Sequence, residues 1–520
     1  MHWVDVIAKG LLERSKRTVI ATGTSISGVI HVGNAGDVII GDGVARSIRE
    51  RGGEADLIWI MDDVDPLRSV PKGIPESFSE HFGKPDYNVP DPWGCHERFT
   101  LHFTVPFIET LRKIGIEPRV LSGYEMYRDG LYEPFARVAL ENAERIRLIL
   151  EEVAGTQKKE TWLPWEATCE RCDKIITTHV ERFDGSRVFY RCVGGVAGHK
   201  EMQGCGHEGW SDLRHGKLPW RVEWAARWKM LGVTCEPFGK EHSAAGGSYD
   251  TSKRIVEERF GYPAPFPVEY EYIMVDGKKM SSSKGNVFTI EQLLDFLPPD
   301  LARFFFFRTY PDKHKEFKFP EDALGLMDEY ERFERVYYGS TTDGVPEKEV
   351  EDVKRAYVLS RISKPTEGLV QVPYKHLLIV ASLYDDWERA LPMLTRSGYG
   401  VSGSDAEVRQ RFDLAKRYVE LHVKDRLKIL EVAPMVNLND KQKTLLRTLA
   451  ERMVGLEWTP ASIHQLIHET SKSMGASSGE AFRAVYLSLL GKENGPRAGY
   501  FLSSLEPQFV AQRFRETGGG

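Results

Sequence analysis

Between Thr18 and Met61 the sequence runs strand, turn, helix, strand, and this order constrains the fold more than any other feature. Thr18-Val-Ile-Ala-Thr22 is a β-branched run ending at Gly23; a Gly/Ser-rich turn follows, and a helical stretch starts near Asn34. Beyond that helix, which holds Val44, Ile48 and Arg49, the run Ala55 to Met61 (ADLIWIM) makes a second strand and ends in Asp62 and Asp63. Strand, helix, strand is the opening of a parallel α/β sheet, whose ligands bind where strands give way to helices. Helical periodicity with good helix formers then covers about 99–114 and 133–152. A Cys- and Gly-rich stretch over 169–209 interrupts the alternation with too few apolar residues for a core of its own, so something other than hydrophobic burial should hold it. After 320 apolar residues at three and four spacing recur in 323–338, 374–391, 407–430, 442–454, 461–473 and 479–490, and the last third should be all-helical.

The chain's 520 residues have room for about three structural units. A net charge of −6 excludes a protein that coats nucleic acid by bulk positive charge. No apolar run approaches the roughly 18 to 20 residues of a bilayer span, and Asp5, Lys9, Glu13 and Arg14 interrupt the start where a signal peptide needs an apolar core, so a cytoplasmic protein without membrane contact is expected. Six cysteines are too few for a disulfide scaffold. Four of them, Cys169-x-x-Cys172, Cys192 and Cys205, supply the thiolates of a tetrahedral structural zinc, with His199 or His207 as replacements in the looser second pair. The alternative, scattered core cysteines, fits a segment with so little core poorly. Asp91, Cys95, His96 and His102 are an assortment able to bind a second zinc, against a reading in which Cys95 is a small core residue and the histidines line a polar surface. Cys235 reads as core.

Two segments carry nucleotide chemistry. In Ser27-Gly-Val-Ile-His31-Val-Gly33-Asn34, Gly28 and Gly33 let the backbone approach a ligand, the helix N-terminus favours phosphate, and His31 and Asn34 add donors. Alone this is an ordinary βα turn. In Asp276-Gly-Lys-Lys279-Met280-Ser281-Ser282-Ser283-Lys284-Gly-Asn286 the lysines and hydroxyls make a donor-only loop suited to a triphosphate. Alone this is a solvated surface loop.

Together, HVGN resembles the HIGH signature and KMSSS the KMSKS signature of class I aminoacyl-tRNA synthetases, in the right order and about 245 residues apart, with a Cys-rich insertion between and helices after. Trp59 to Arg68, Pro219 to Trp228, Gly239-Lys-Glu-His242 and Gly495 to Tyr500 resemble the class I lysyl-tRNA synthetases of archaeal type, and WRVEWAARW is also similar to the glutamyl and glutaminyl enzymes. The resemblance implies a Rossmann-like parallel-sheet catalytic domain over 1–320, with the zinc-ribbon insertion at about 165–210 and the KMSKS-loop region at about 240–320. An all-α anticodon-binding domain would follow over 321–520. It further implies activation of L-lysine by ATP and Mg2+ to lysyl-adenylate and transfer to the 3′-terminal adenosine of tRNA(Lys), with the tRNA needed before lysine is activated; a monomer is expected. By motif, the catalytic residues are His31, Asn34, Lys279 and Lys284, and Gly28, Gly33, Met280, Ser281, Ser282 and Ser283 complete the ATP site. One departure matters: Ser282 replaces the second lysine of the signature, and Lys284 lies two positions on. Lysine needs a carboxylate for its ammonium and an apolar wall for its methylenes. Trp220, Tyr270 and Tyr272 are wall candidates; Asp62, Asp63, Glu223, Glu241 and Glu269 are the carboxylates near the motifs; His242 is placed to contact substrate or ribose. Trp224 and Trp228 read as a core stripe. A basic face of Lys416, Arg417, Lys424, Arg426 and Lys428 with His422 could meet RNA phosphates, although such faces are more often simply solvated. The rival readings are a class I synthetase for another amino acid, a related nucleotidyltransferase, and a zinc-dependent RNA-binding protein without catalysis.

Overall fold

The computed structural model describes residues 1–69, 74–197, 200–275, 277–280, 287–339 and 341–519. It divides into two compact units: Met1–Glu291 with Ala302–Asp322 and Gly344–Ser363, and Gln292–Leu301 with Ala323–Asp343 and Lys364–Gly520.

The first unit opens with α1 (Trp3–Arg14), β1 (Arg17–Thr24), α2 (Val32–Glu50), β2 (Glu54–Met61), α3 (Phe99–Lys113) and β3 (Arg119–Ser122). β1 and β2 pair in parallel from Arg17↔Glu54 to Thr24↔Met61, and β3 continues the sheet beside β2. Helices α4 (Gly123–Arg128), α5 (Glu133–Glu141) and α6 (Ala143–Ala154) follow. The span 133–152 is thus two helices, because Asn142, at φ −113° and ψ 24°, leaves helical geometry between α5 and α6. The chain then enters the insertion: β4 (Glu166–Ala167), β5 (Thr178–Phe183), β6 (Arg187–Cys192), β7 (Gly194–Ala197), β8 (Lys200–Gln203), β9 (Glu208–Asp212) and β10 (Gly216–Lys217). β5, β6 and β9 form an antiparallel sheet, and β4 with β10 and β7 with β8 form two-stranded pairs. On β6 the alternation is strict: Val188, Tyr190 and Cys192 are buried while Arg187 and Arg191 are exposed.

After α7 (Trp220–Leu231) come β11 (Cys235–Gly239), α8 (Ser248–Ile255) and β12 (Phe266–Tyr270), which complete a parallel sheet of order β12-β11-β1-β2-β3. The strand order reverses between β1 and β11, and the crevice beyond their carboxyl ends is where an open α/β sheet binds its ligands. β13 (Ile273–Val275), β14 (Lys278–Lys279), α9 (Ile290–Leu294), α10 (Asp300–Phe307) and β15 (Lys315–Glu316) follow. Trp165, Val188 and Tyr190 of the insertion share one apolar cluster with Ile58 and Ile60 of β2 and with Trp224 and Trp228 of α7, so the insertion borrows a core where its own sequence has none.

The remaining elements are helices: α11 (Ala323–Tyr337), α12 (Val350–Ser360), α13 (Tyr374–Leu383), α14 (Trp387–Leu394), α15 (Ala406–His422), α16 (Asp440–Arg452), α17 (Pro460–Ser473), α18 (Ser478–Leu490), α19 (Ala498–Ser503) and α20 (Pro507–Thr517). In the second unit α16 to α20 close around Leu446, Leu449, Ile463, Ile467, Val485 and Phe501. Capping boxes at Asn439/Gln442 and Ser477/Glu480 start α16 and α18. The expected helix over 374–391 breaks at Tyr384, which is extended, and restarts from Asp386 as an N-cap. The one over 407–430 stops at His422, and Leu430 instead donates its backbone N–H to the Leu489 carbonyl. That early stop dissolves the continuous basic face: Arg426 pairs with Asp385 at 2.8 Å, Lys416 donates to the Asp385 carbonyl at 2.7 Å, and the His422 ring packs on Phe296. Among the described residues no helix is long and apolar enough to cross a membrane.

Candidate active site

At the crevice His31 is the N-cap of α2, which begins at Val32, two residues before the expected start. Its Nδ1 accepts the backbone N–H groups of Gly33 at 3.1 Å and Asn34 at 3.3 Å. Nδ1 is therefore the lone-pair nitrogen, Nε2 carries the proton, and the ring presents a neutral donor. Burial, followed by the charge of Lys279, lowers the His31 pKa to about 4, which keeps the ring neutral at physiological pH. Asn34 Nδ2 donates to Thr24 Oγ1 at 3.3 Å and ties the helix start to the end of β1. Gly28 adopts φ 147°, a conformation closed to other residues. A Cβ on Gly33 would stand 2.9 Å from His31 Cε1 and 3.2 Å from Met280 Cε. The two sequence motifs thus meet at this glycine. Val32 also donates its N–H to the Phe288 carbonyl at 3.0 Å, so the segment after the second motif docks on the first.

Lys279 extends from β14, with Nζ 3.0 Å from Glu241 Oε1 and 3.9 Å from the centre of the Tyr272 ring. Both carboxylate and ammonium are open to solvent, so this pair is weak and can exchange partners. Tyr272, expected as pocket wall, serves instead as a cation–π partner for Lys279 and for Lys240 at 5.0 Å. Met280 is buried. Ser281, Ser282, Ser283 and Lys284 lie outside the described residues.

Beside this loop is a half-buried aromatic recess. Trp220 stacks on Trp224 with ring centres 5.1 Å apart, and the His242 ring lies 5.5 Å from Trp224 and 6.2 Å from Trp220. Trp224 and Trp228 are fully buried, as a core stripe requires. Tyr270, at the end of β12, donates its hydroxyl to Asp37 Oδ1. Burial, opposed by that hydrogen bond and reinforced by Glu236 and Glu241, pushes the Asp37 carboxyl well above the usual carboxylate range. Glu236 on β11 accepts the indole N–H groups of Trp224 at 2.8 Å and Trp228 at 2.5 Å, and burial raises it to about 7. Among the described residues Glu241 has Lys279 as its cation, while Asp37 and Glu236 are held by the neutral donors of Tyr270, Trp224 and Trp228, an environment that favours an incoming ammonium.

Asp62, expected among the lysine contacts, is placed otherwise. It is buried and accepts from Arg227 at 2.5 Å; Arg227 also pairs with Glu223 at 3.1 Å and donates to the Tyr132 hydroxyl at 3.1 Å. Lys217 lies 2.9 Å from Glu223 and also contacts Asp65. The charges of Asp62 and Glu223 are thus matched inside the protein, and neither is available to a ligand.

Both expected metal clusters assemble. The Sγ atoms of Cys169, Cys172, Cys192 and Cys205 all lie within 4.8 Å of one another, with Cys169–Cys205 at 3.6 Å and Cys172–Cys192 at 3.7 Å. A disulfide needs about 2.05 Å. Four thiolates about 2.3 Å from a tetrahedral zinc stand roughly 3.8 Å apart, so the donor set fits that ion. His207 is not in the cluster, and His199 lies outside the described residues. Asp91, Cys95, His96 and His102 likewise gather within 4.8 Å, with Cys95 Sγ 3.2 Å from His96 Nδ1 and 3.1 Å from His102 Nδ1. Sulfur, two imidazoles and a carboxylate also suit zinc.

Residues 1–363 match the family model described as tRNA synthetases class I (K), and residues 412–517 match that of an anticodon binding domain. The chain is 39% identical over 521 residues to the lysine--tRNA ligase of Archaeoglobus fulgidus, covering 99% of each, and 38% identical over 535 residues to that of Methanosphaera stadtmanae, again covering 99% of each. The chain belongs to the class I lysyl-tRNA synthetases. Among solved structures, this synthetase is similar to the glutamate-tRNA synthetase of Elizabethkingia anophelis, with 12% identity, a TM-score of 0.43 and coverage of 97% of this chain and 100% of that one.

Sequence reasoning passed over Asp37 and Glu236. Asp37 follows Asn34 by three positions, so both lie on one face of α2, a helical spacing available from the sequence once His31 is taken as the cap. Glu236 was signalled only as a lone acid in the otherwise apolar Cys235-Glu-Pro-Phe-Gly239 of this synthetase.

Proposed function

We infer that this chain is an ATP-dependent lysine--tRNA ligase of class I, acting as a cytoplasmic monomer. The observation that carries the reading is the meeting of the HVGN and KMSSS motifs at Gly33 and Met280, beside the Asp37–Tyr270 pair. In the first step the lysine carboxylate attacks the α-phosphate of ATP and the bond to the β-phosphate breaks, giving lysyl-adenylate and pyrophosphate. In the second, a ribose hydroxyl at the 3′ end of tRNA(Lys) attacks the acyl carbon and AMP leaves. Neither step needs a protein nucleophile; both need alignment and donors aimed at growing negative charge.

In this reading His31 Nε2–H and the N-terminus of α2 face the phosphates, Gly28 and Gly33 admit the nucleotide, and Asn34 holds the ribose side. Lys279 leaves Glu241 and Tyr272 to meet the triphosphate, joined by Ser281, Ser282, Ser283 and Lys284. Glu241 is then a resting partner for Lys279, and Asp37 replaces Asp62 as the carboxylate for the lysine ammonium. Trp220, His242 and Tyr270 flank the methylenes. Mg2+ bound with ATP would neutralise charge on the departing pyrophosphate. Zinc at Cys169, Cys172, Cys192 and Cys205, and at Asp91, Cys95, His96 and His102, would be structural, since each set offers four protein ligands. The helical unit would read the anticodon, and tRNA binding would complete the active site before lysine is activated.

Aminoacylation of total tRNA with each of the 20 amino acids, ATP and magnesium tests the reading. Charging with lysine alone is expected. Charging with glutamate or glutamine would overturn the lysine pocket, and no charging at all would overturn the enzymatic reading.

A further inference from the structure

Next to the turn that carries His31 is a second cleft, of about 190 Å³, lined by Val29, Ile30, His102, Phe103, Pro106 and Phe107. It contains none of the residues assigned above to ATP or lysine. Its lining is largely apolar and aromatic, with the hydroxyls of Thr110 and Thr289, a single carboxylate, Glu291, and neither lysine nor arginine, which suits a flat uncharged ring and not a phosphate. At its edge Trp93 stacks on His102, with ring centres 4.0 Å apart and planes at 21°, and meets Phe103 edge-on at 6.0 Å. Trp93 is 46% exposed although one face is covered by His102, so its other face is open to solvent. Val29, on the catalytic turn itself, is also 46% exposed. A large indole held rigidly on one face and bare on the other is costly to leave in water unless something stacks on it.

We propose that Trp93 and this cleft form a stacking platform for the unpaired 3′-terminal nucleotides of tRNA. The inference rests on the function proposed above. Acyl transfer requires the terminal ribose to reach the adenylate beside His31, so the unpaired nucleotides leading to it must cross the surface that adjoins this turn. Unpaired bases are bound by stacking on aromatic side chains, each worth about 1–3 kcal/mol. Val29 and Ile30 make the platform continuous with the catalytic turn. The Asp91, Cys95, His96 and His102 cluster gives it rigidity by holding the ring on which Trp93 rests: the Trp93 backbone N–H donates to Asp91 Oδ1 at 3.1 Å.

The test uses the full chain and tRNA(Lys) transcripts with an intact 3′ end or with the unpaired nucleotides removed, measuring Kd for both at one fixed salt concentration. The wild type is expected to bind the intact tRNA about tenfold more tightly than the shortened one. Trp93→Ala and Trp93→Leu should reduce that ratio to about two or less, with affinity for the shortened tRNA unchanged. Trp93→Phe should restore much of the ratio, which a purely structural role in the cluster would not require; zinc content per chain, equal across the variants, marks them as folded there. If the Trp93→Leu protein keeps the wild-type ratio, or if the wild type itself does not distinguish the two tRNAs, the platform is refuted. A wild type that charges tRNA with lysine yet shows no such ratio refutes the platform alone, whereas one that charges nothing refutes the function on which it rests.

Discussion

Replacing Asp37 with Asn separates the proposed lysine pocket from the fold that surrounds it. The amide keeps the shape of the carboxyl and can still accept the Tyr270 hydroxyl, so the variant should melt with the wild type. What it loses is the charge facing the ammonium. At a separation of about 4 Å and an effective dielectric near 20, that attraction is about 4 kcal/mol. Two discounts apply. Asp37 and Tyr270 each keep some surface exposure although burial dominates at the Asp37 carboxyl, so solvent screens the pair in part, and the raised Asp37 pKa means that part of the attraction goes into removing its proton. A net loss of ~2–3 kcal/mol remains, equivalent to a rise of about 30- to 150-fold in the KM for lysine. The assay is aminoacylation with saturating ATP and tRNA over a wide lysine range. The sign with pH also follows: lysine needs ionised Asp37, so KM should rise as pH falls through the raised Asp37 pKa, at a higher pH than an ordinary carboxylate would produce, and the Asn variant should lose that component. An Asp37→Asn enzyme whose lysine KM stays within threefold of wild type would refute the assignment and return the role to Glu236 or Glu241.

Asp62→Ala should behave in the opposite way, leaving lysine KM within threefold but lowering stability by ~3 kcal/mol, roughly 4 °C in Tm for a unit of this size, because it strips a partner from buried Arg227; calorimetry decides. With His31 held neutral down to about pH 4, the rate of adenylate formation should show no inflection near 6.5, and His31→Ala should lower that rate about 100-fold or more; an inflection that disappears in the variant would contradict a neutral His31. Freshly purified protein should hold two zinc ions per chain by metal analysis, and prolonged chelation should lower Tm and loosen the insertion; a metal-free, equally stable protein would overturn both sites.

The sheet, the helical end and the gathering of the four cysteines were legible because each rests on local signals: a β-branched run, helical periodicity, a CxxC pair. The assignment of Trp224 and Trp228 to the core followed from four-residue spacing and holds. The candidate lysine pocket was less legible, because which carboxylates stay free depends on contacts distant in sequence. Asp62 looks available at the end of its strand until Arg227, 165 residues away, is seen to occupy it. Tyr272 looks like a wall until Lys279 folds over it. The breaks at Asn142 and Tyr384 escaped periodicity because apolar spacing continues across a kink that only backbone angles reveal.

The insertion shares its core with α7, and that has a consequence for how this enzyme can be taken apart. Trp165, Val188 and Tyr190 lean on the same cluster as Trp224 and Trp228, whose indole N–H groups hold Glu236 beside the aromatic recess. A chain trimmed of residues 165–217 would expose that cluster and release Glu236, so no minimal catalytic domain should survive the cut with lysine selectivity intact.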